Sequence, residues 1–183
     1  LTGRVPASAG ASCGMSADEP FVHRATAVAI DGRALLIEGP PGSGKSSLAL
    51  ALIDRGASLI GDDAVTLSRA GGQLVASPPP NIAGLLELRG IGLVRLAVAA
   101  PTPVALILTL GGPQGARLPG SPLPCRKIMG LDLPVLAFDP GTIAPARRAE
   151  EGRLSVVARK GSPVFVAEAP PSEAVAPARR HDP

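Results

Sequence analysis

The chain has 183 residues, which is enough for one domain with a sizeable core and too few for two comfortable ones. Its 18 basic and 15 acidic residues give a mild net charge of +3, and the absence of Trp and Tyr removes the aromatic platforms used to stack nucleic-acid bases. Two cysteines, no apolar leader and no run of 18 apolar residues indicate a cytoplasmic protein without a membrane span.

The N-terminal part of the chain is predicted to be an arm followed by a β-hairpin. Residues 1–19 are rich in Ala, Gly and Ser without helical or strand periodicity, so we expect a disordered arm. A strand over 22–30, a turn at Asp31-Gly32 and a returning strand over 34–38 follow. His23 would begin the outer strand, where a histidine is as typical of a hydrogen-bonded structural residue as of a functional one.

A glycine-rich segment separates the second strand from an apolar helix predicted over 45–55. The segment consists of Gly39, Pro40, Pro41, Gly42, Ser43, Gly44, Lys45 and Ser46, with Ser47 after it. Its glycines permit a sharp turn with N–H groups aimed inward, and the helix adds its positive dipole end. In such a loop the lysine reaches the β- and γ-phosphates and the last serine takes a position on Mg²⁺. The motif predicts a nucleoside triphosphate site; the alternative is a turn that binds nothing.

Two adjacent carboxylates, Asp62 and Asp63, follow a short apolar strand predicted over 57–60. Ligands collect at this end of the strands in α/β sheets, so the pair is expected beside the phosphate loop. One carboxylate could accept a proton from a hydroxyl or water while its neighbour holds metal, and the two should titrate as a coupled pair. Ordinary turn chemistry is the alternative.

A second hairpin is predicted over 65–77 around Gly71-Gly72. The segment over 81–93 then places Glu87 and Arg89 two residues apart, on the same side of an extended chain. Glu87, between leucines, must either face solvent or bind something such as Mg²⁺. Arg89 could pair with Glu87 or with an aspartate.

The last part of the chain carries weaker patterns. An almost purely apolar run over 104–110 predicts a buried strand, and a Gly/Pro-rich loop over 111–125 contains Arg117. The remaining predictions are a strand pair around Gly130, a helix over 145–151, a strand or helix end over 154–158, and Met129 and Phe138 in the core. Nine of the 18 basic residues lie from residue 126 onward, which fits either a solvated surface or a docking face for an acidic partner.

The order of these features resembles the catalytic domain of bacterial HPr kinase/phosphorylase. A histidine precedes the phosphate loop, the Asp pair stands in Leu-Ile-Gly-Asp-Asp over 59–63, and Leu-Leu-Glu-Leu-Arg-Gly-Ile-Gly occupies 85–92. The last stretch is the most specific, because the family form Leu-Leu-Glu-Ile-Arg-Gly-Leu-Gly differs only at Leu88 and Ile91. The resemblance covers about 22–138 and implies an α/β fold, a mixed sheet around the phosphate loop flanked by helices, as in HPr kinase and PEP carboxykinase. The implied boundaries are an arm over 1–19, a single kinase domain over 20–160 and a Pro-rich tail over 161–183.

The resemblance implies phosphorylation of a serine of the phosphocarrier protein HPr with ATP and Mg²⁺. The residues that it assigns to phosphoryl transfer are His23, Lys45, Asp63 and Arg117. Among them, Asp63 would be the base for the serine hydroxyl and Arg117 would steady the transferring charge, while His23 and Lys45 would contact the phosphates. Ser46 and Glu87 would hold Mg²⁺, with Asp62 and Arg89 in supporting positions.

Two departures from the family pattern affect these expectations. The additional N-terminal domain of typical members is absent from this sequence, which is therefore similar to a short, single-domain form. The family stretch Pro-Gly-Arg-Asn, tied to the reverse reaction with inorganic phosphate, is Pro-Gly-Thr-Ile over 140–143 here. The resemblance thus implies weak phosphorylase activity, in a homo-oligomer (a hexamer in the family) that has neither nucleic acid nor membrane as a partner.

Two other functions stay open on the residues alone. Compact proteins with this loop often phosphorylate metabolites, although no arginine-rich lid follows a later helix here. A nucleotide-sensing module without catalysis, whose basic C-terminal third binds a regulator, is the second. Turnover assays separate the three possibilities.

Overall fold

The computed structural model describes residues 19–112, 122–141 and 144–159, with side chains through residue 154. The predicted Pro-rich tail and all but the last residue of the predicted arm lie outside these ranges. The described elements are β1 (Phe21–His23), β2 (Thr26–Ile30), β3 (Arg33–Glu38), α1 (Lys45–Ile53), β4 (Ser58–Gly61), β5 (Val65–Ala70), β6 (Gln73–Ser77), β7 (Leu85–Leu88), β8 (Gly92–Arg95), β9 (Thr102–Thr109), β10 (Cys125–Ile128), β11 (Leu131–Ala137) and α2 (Pro145–Arg159). In this part of the chain, neither helix has the length and apolar character that a membrane span requires.

Most strands join one mixed sheet. Its order is β1-β5-β6-β9-β3-β2-β4, with β11 paired to β9 and β10 paired to β11, while β7 and β8 form a separate two-stranded sheet. The strand β9 pairs in parallel with β3 and β11 and antiparallel with β6. The predicted α/β class with a mixed sheet around the phosphate loop is confirmed.

The strand β3 is buried on both of its faces. Leu35 and Ile37 pack in a cluster with apolar residues of α1 and α2, whereas Leu36 belongs to a second cluster with side chains of β5, β6 and β9. Successive side chains of a strand point to opposite faces, so a strand covered on both sides must be apolar throughout. This burial explains the uninterrupted apolar run before the phosphate loop.

Both predicted two-residue turns are confirmed. Asp31 and Gly32 have φ values of 47° and 68°, and Gly71 and Gly72 have values of 56° and 73°. Two consecutive residues with positive φ form the turn whose twist matches antiparallel strands, and Asp-Gly and Gly-Gly are favoured there. The helix after the phosphate loop ends at residue 53 rather than 55, and its buried residues are Leu48, Ala49 and Leu52, as predicted.

One predicted strand is divided in two by the structure. The prediction of a single strand over 22–30 is wrong, because β1 pairs with β5 whereas β2 pairs with β3 and β4. The chain changes neighbours at Arg24-Ala25, and a local apolar pattern carries no information about pairing partners. His23 is therefore the last residue of β1 and does not belong to the hairpin.

Two smaller predictions toward the C-terminus need adjustment. The strand pair around Gly130 is confirmed as β10 and β11, and Phe138 is buried while Met129 is partly buried beside the second apolar cluster. Residues 154–158, predicted as a strand or a helix end, form the C-terminal end of α2, so the helix is longer than the predicted 145–151. Cys125, predicted in a loop, is the exposed first residue of β10.

Candidate nucleotide-binding site

The phosphate loop connects β3 to α1 in a conformation that depends on its glycines. Gly42 and Gly44 have φ values of 81° and 91°, in the left-handed region that other residues rarely adopt. A Cβ at Gly39 would lie 2.6 Å from Ser43 Oγ and 2.9 Å from the Leu110 carbonyl oxygen. The loop therefore folds against the end of β9 as closely as its backbone permits.

Two polar side chains of the loop have different surroundings. Ser43 Oγ is buried and finds no hydrogen-bond partner among the described residues. Lys45 Nζ donates to the carbonyl oxygens of Gly39 and Pro40 at 3.1 and 3.2 Å, in solvent-exposed contacts. The exposed amine of Lys45 and the start of α1 suit an anion with several acceptor oxygens, such as a polyphosphate.

The Asp62 carboxylate connects three separate elements of the site. It is almost fully buried, with 6% of the residue exposed. Oδ1 accepts from Thr26 Oγ1 at 2.8 Å and from Ser46 Oγ at 2.9 Å. Oδ2 accepts from the Glu87 backbone N–H at 3.2 Å, and Ser46 Oγ lies at the same distance from it. This carboxylate thereby ties β2, the first turn of α1 and β7 together.

Asp63 faces different surroundings from its neighbour. It has a φ of 59°, is exposed, and lines the cavity beside the phosphate loop. A left-handed residue turns the chain sharply, so the two consecutive carboxylates are directed apart. Asp62 holds the site together, and Asp63 is accessible to a reactant in the cavity.

The cavity has a volume of about 830 Å³, within the usual range for sites of small ligands. Most of the phosphate loop and the first turn of α1 line it, together with Asp63, Glu87 and Arg89. Glu87 is exposed toward this space. Among the described residues Arg89 forms no ion pair with Glu87 or an aspartate; its guanidinium lies 3.6 Å from the position that a Cβ on Gly42 would take. The structure therefore brings together most of the sequence-predicted site residues.

Two residues predicted to act on the phosphates, His23 and Arg117, are not among the described residues that line this cavity. Arg117 lies outside the described residues, as do Thr142 and Ile143. His23 does not line the cavity in the described part of the chain; its Nε2 lies 2.8 Å from Glu38 Oε1. The predicted phosphate contacts of His23 and Arg117 stay predictions.

Glu38 forms a charge cluster at the start of the phosphate loop. Its Oε2 accepts a hydrogen bond of 2.6 Å from Arg126 Nη1, while Oε1 meets His23. Burial raises the pKa of Glu38, but the hydrogen bonds and charges of His23 and Arg126 outweigh burial and bring it below the ordinary value. Sequence reasoning missed this cluster because β10 contributes its arginine from far along the chain. The sequence feature that points to this cluster is Glu38 itself, a single acidic residue at the end of a buried apolar strand.

A bound Mg²⁺ fits the oxygen donors at the end of the loop. Within the described ranges, no cluster of three or more His, Cys, Asp or Glu side chains is placed to hold a metal ion. Mg²⁺ does not require one, since it commonly uses one or two protein oxygens together with substrate phosphates and water. Ser46 and Glu87, predicted as ligands, line the same cavity, and Asp62 orients the Ser46 hydroxyl.

Comparisons with known proteins agree with this geometry. Residues 16–99 match the family model described as the HPr Serine kinase C-terminal domain. HPr kinase/phosphorylase from Clostridium botulinum (strain Eklund 17B) is 48% identical over 67 residues, which are 37% of this chain and 22% of the relative. That of an Exiguobacterium species is 42% identical over 91 residues, covering 45% of this chain and 29% of the relative. The chain thus spans less than a third of the length of these curated relatives.

One solved structure matches a larger share of this chain than these curated relatives do. The Hpr(Ser) kinase/phosphatase from Coxiella burnetii superposes with a TM-score of 0.64 at 29% sequence identity. The match covers 76% of this chain and 93% of that chain. The likeness therefore extends well beyond the phosphate loop.

Replacing Lys45 by Ala is expected to weaken ATP binding about tenfold or more, because a hydrogen bond to a charged group contributes roughly 1.5–3 kcal/mol. The free energy of unfolding should change by less than about 0.5 kcal/mol, since the lysine contacts are exposed. Titration with a fluorescent ATP analogue and urea unfolding measure the two quantities. Lys127→Ala, an exposed lysine of β10, is the control. Equal ATP affinity in the Lys45 variant and wild type would refute the site.

Replacing Glu38 by Gln tests the charge cluster through its pH dependence. A carboxyl whose pKa is lowered on folding stabilises the protein fully above the unfolded value, here 4.5, and loses that contribution as the pH falls through the folded pKa. The variant should therefore be less stable than wild type at pH 7, with a difference that shrinks below pH 4.5. Urea unfolding at several pH values measures this difference, with the exposed Glu19→Gln as control. A difference independent of pH would contradict the assignment.

Proposed function

We propose that this chain, which is similar to the HPr serine kinase C-terminal domain over residues 16–99, transfers the γ-phosphoryl group of ATP to a serine of the phosphocarrier protein HPr. The observation that carries the proposal is the arrangement of Lys45, Asp63 and Glu87 around one cavity next to the phosphate loop. These three residues of the HPr kinase resemblance line one cavity although they lie far apart in the sequence. No observation favours a small-molecule kinase or a nucleotide-sensing module.

In the proposed reaction the phosphate loop binds and orients ATP. Backbone N–H groups of the loop and the Lys45 amine contact the phosphate oxygens, with Nζ leaving the two loop carbonyls that it contacts in the structure. Mg²⁺, when bound, neutralises charge on the transferring phosphoryl group. Ser46 and Glu87 would hold Mg²⁺. The Ser46 hydroxyl donates its hydrogen to Asp62, which leaves the lone pairs of the Ser46 oxygen for the metal.

Asp63 is proposed as the general base. As the bond between the acceptor serine oxygen and the γ-phosphorus forms, the bond to the ADP oxygen breaks and the serine proton passes to the Asp63 carboxylate. Exposure to the cavity supports this role, since a base must come within hydrogen-bond reach of the proton that it accepts. Arg117 is proposed to steady the transferring charge and His23 to contact phosphate, both on the strength of the family resemblance.

The wider setting is part of the same proposal. The acceptor is HPr, the nucleotide is ATP with Mg²⁺, and the place of action is the cytoplasm. A homo-oligomer, hexameric as in the family, is proposed as the assembly. Size-exclusion chromatography with light scattering measures the assembly, and a monomer at micromolar concentration would contradict it.

The proposed activity is tested by incubating the protein with ATP, Mg²⁺ and purified HPr and locating added phosphate by mass spectrometry. Asp63→Asn should lower the transfer rate by about 10²- to 10⁴-fold, the usual contribution of a general base. ATP affinity should change little in this variant, because the loop backbone and Lys45 make the proposed phosphate contacts. Asp139→Asn, outside the cavity lining, is the control. Full transfer activity in the Asp63 variant would remove its assignment as the base, and no phosphate on HPr with wild type would refute the function.

Reverse transfer is expected to be weak. Thr142 occupies the position of the arginine that the family associates with phosphorolysis, so a positive charge for inorganic phosphate is missing there. Serine-phosphorylated HPr, incubated with millimolar phosphate and no ATP, should release pyrophosphate much more slowly than the forward reaction proceeds. Comparable rates in the two directions would show that Thr142 is no obstacle.

A further inference from the structure

Thr26 is a buried polar residue in an otherwise apolar part of the core. It has no exposed surface, and its neighbours Ala25 and Ala27 are buried as well. Among the described residues only four polar or charged ones are buried, and Thr26 and Asp62 are two of them. Their side chains meet directly, with Thr26 Oγ1 donating to Asp62 Oδ1 at 2.8 Å. The core therefore accommodates this hydroxyl together with the carboxylate of the site.

This hydrogen bond restricts the rotation of the Asp62 carboxylate. The torsion that turns a carboxylate about its last carbon–carbon bond has a broad preference, so neighbouring donors must set its plane. Thr26 holds Oδ1 from the core side, and the Glu87 backbone N–H holds Oδ2 at 3.2 Å. Between these two fixed oxygens, Ser46 Oγ donates at 2.9 and 3.2 Å. Thr26 and the Glu87 N–H therefore fix the plane of the carboxylate to which the Ser46 hydroxyl donates.

We propose that Thr26 is a positioning residue for the Mg²⁺–nucleotide site, acting through Asp62 on Ser46. The inference rests on the proposed function for its ligand, Mg²⁺ with a nucleoside triphosphate. Thr26 does not line the cavity in the described structure, so it acts without touching nucleotide or metal. With the carboxylate fixed, the Ser46 hydrogen stays on Asp62 and its lone pairs stay directed away from that carboxylate. Residues that orient metal ligands in this way typically change metal affinity or activity 10- to 100-fold when they are replaced.

If Thr26 had a purely structural role, its replacement would change the stability of the protein but not the Mg²⁺ dependence of binding. Thr102 is a threonine with such a structural role. Thr102 is also buried, and its Oγ1 donates to the Ala100 carbonyl oxygen at 2.7 Å, where it meets no site residue. Removing either hydroxyl should reduce the free energy of unfolding. Only the removal of the Thr26 hydroxyl should alter how nucleotide binding depends on Mg²⁺. Thr102→Val is therefore the matched control for Thr26→Val.

The experiment measures binding of a fluorescent ATP analogue to the full chain at increasing Mg²⁺ concentration, alongside urea unfolding. Thr26→Val should raise the half-saturating Mg²⁺ concentration by about tenfold or more, while binding without Mg²⁺ stays close to that of wild type. Thr26→Ser retains the hydroxyl and should restore the wild-type Mg²⁺ dependence to within about threefold. Thr102→Val should lose stability without any change in the Mg²⁺ dependence.

Several results would overturn the inference. Equal Mg²⁺ dependence in Thr26→Val and wild type would reduce Thr26 to a structural residue, and an equal defect in Thr26→Ser would show that the hydroxyl is not responsible. If Thr26→Val does not fold, the smaller Thr26→Ala variant serves in its place under the same criteria. Wild-type protein whose nucleotide binding ignores Mg²⁺ would overturn both this inference and the proposed function. If nucleotide binding by wild-type protein does depend on Mg²⁺, the comparison of Thr26→Val with wild type tests the role of Thr26 and leaves the proposed function unaffected.

Discussion

The burial of the Asp62 carboxylate is the constraint on which the site depends. A buried ionised group is costly unless hydrogen bonds replace its water, and here the donors come from β2, α1 and the backbone of β7. Thr26 reaches Asp62 because β4, which leads into Asp62, pairs with β2. The strand order of the sheet is therefore required for the site, because pairing of β4 with another strand would leave the Asp62 carboxylate without the hydrogen bond from Thr26.

The phosphate loop is anchored by a carboxylate at each end. Glu38 precedes the loop and is held by His23 and Arg126, so it connects β3 to β1 and β10. Ser46 follows the loop and is held by Asp62. A loop fixed at both ends loses little conformational freedom when it binds a ligand, so more of the interaction energy remains for the phosphate contacts. Between the anchors, Lys45 makes solvent-exposed contacts with two loop carbonyl oxygens and can exchange them for a ligand.

Features encoded by neighbouring residues could be predicted from the sequence. The phosphate loop, the turns at 31–32 and 71–72 and the buried strand β9 all depend on local backbone preferences or on continuous apolar runs. The division into β1 and β2, the Glu38 cluster and the Thr26 hydrogen bond depend on pairing between distant segments, which a single sequence does not display. Thr26 shows the difficulty: a threonine within an apolar strand has the same pattern whether its hydroxyl serves a site or only the core.

We propose that the two adjacent carboxylates have separate roles, with Asp62 organising the Mg²⁺–nucleotide site and Asp63 facing the reactant. Measuring the Mg²⁺ dependence of ATP binding in Asp62→Asn and Asp63→Asn tests this most directly, because the substitutions are chemically identical and one residue apart. Asp62→Asn is expected to lose most of the Mg²⁺-dependent binding, whereas Asp63→Asn is expected to retain it. Equal losses in both variants, or a loss confined to Asp63→Asn, would contradict it.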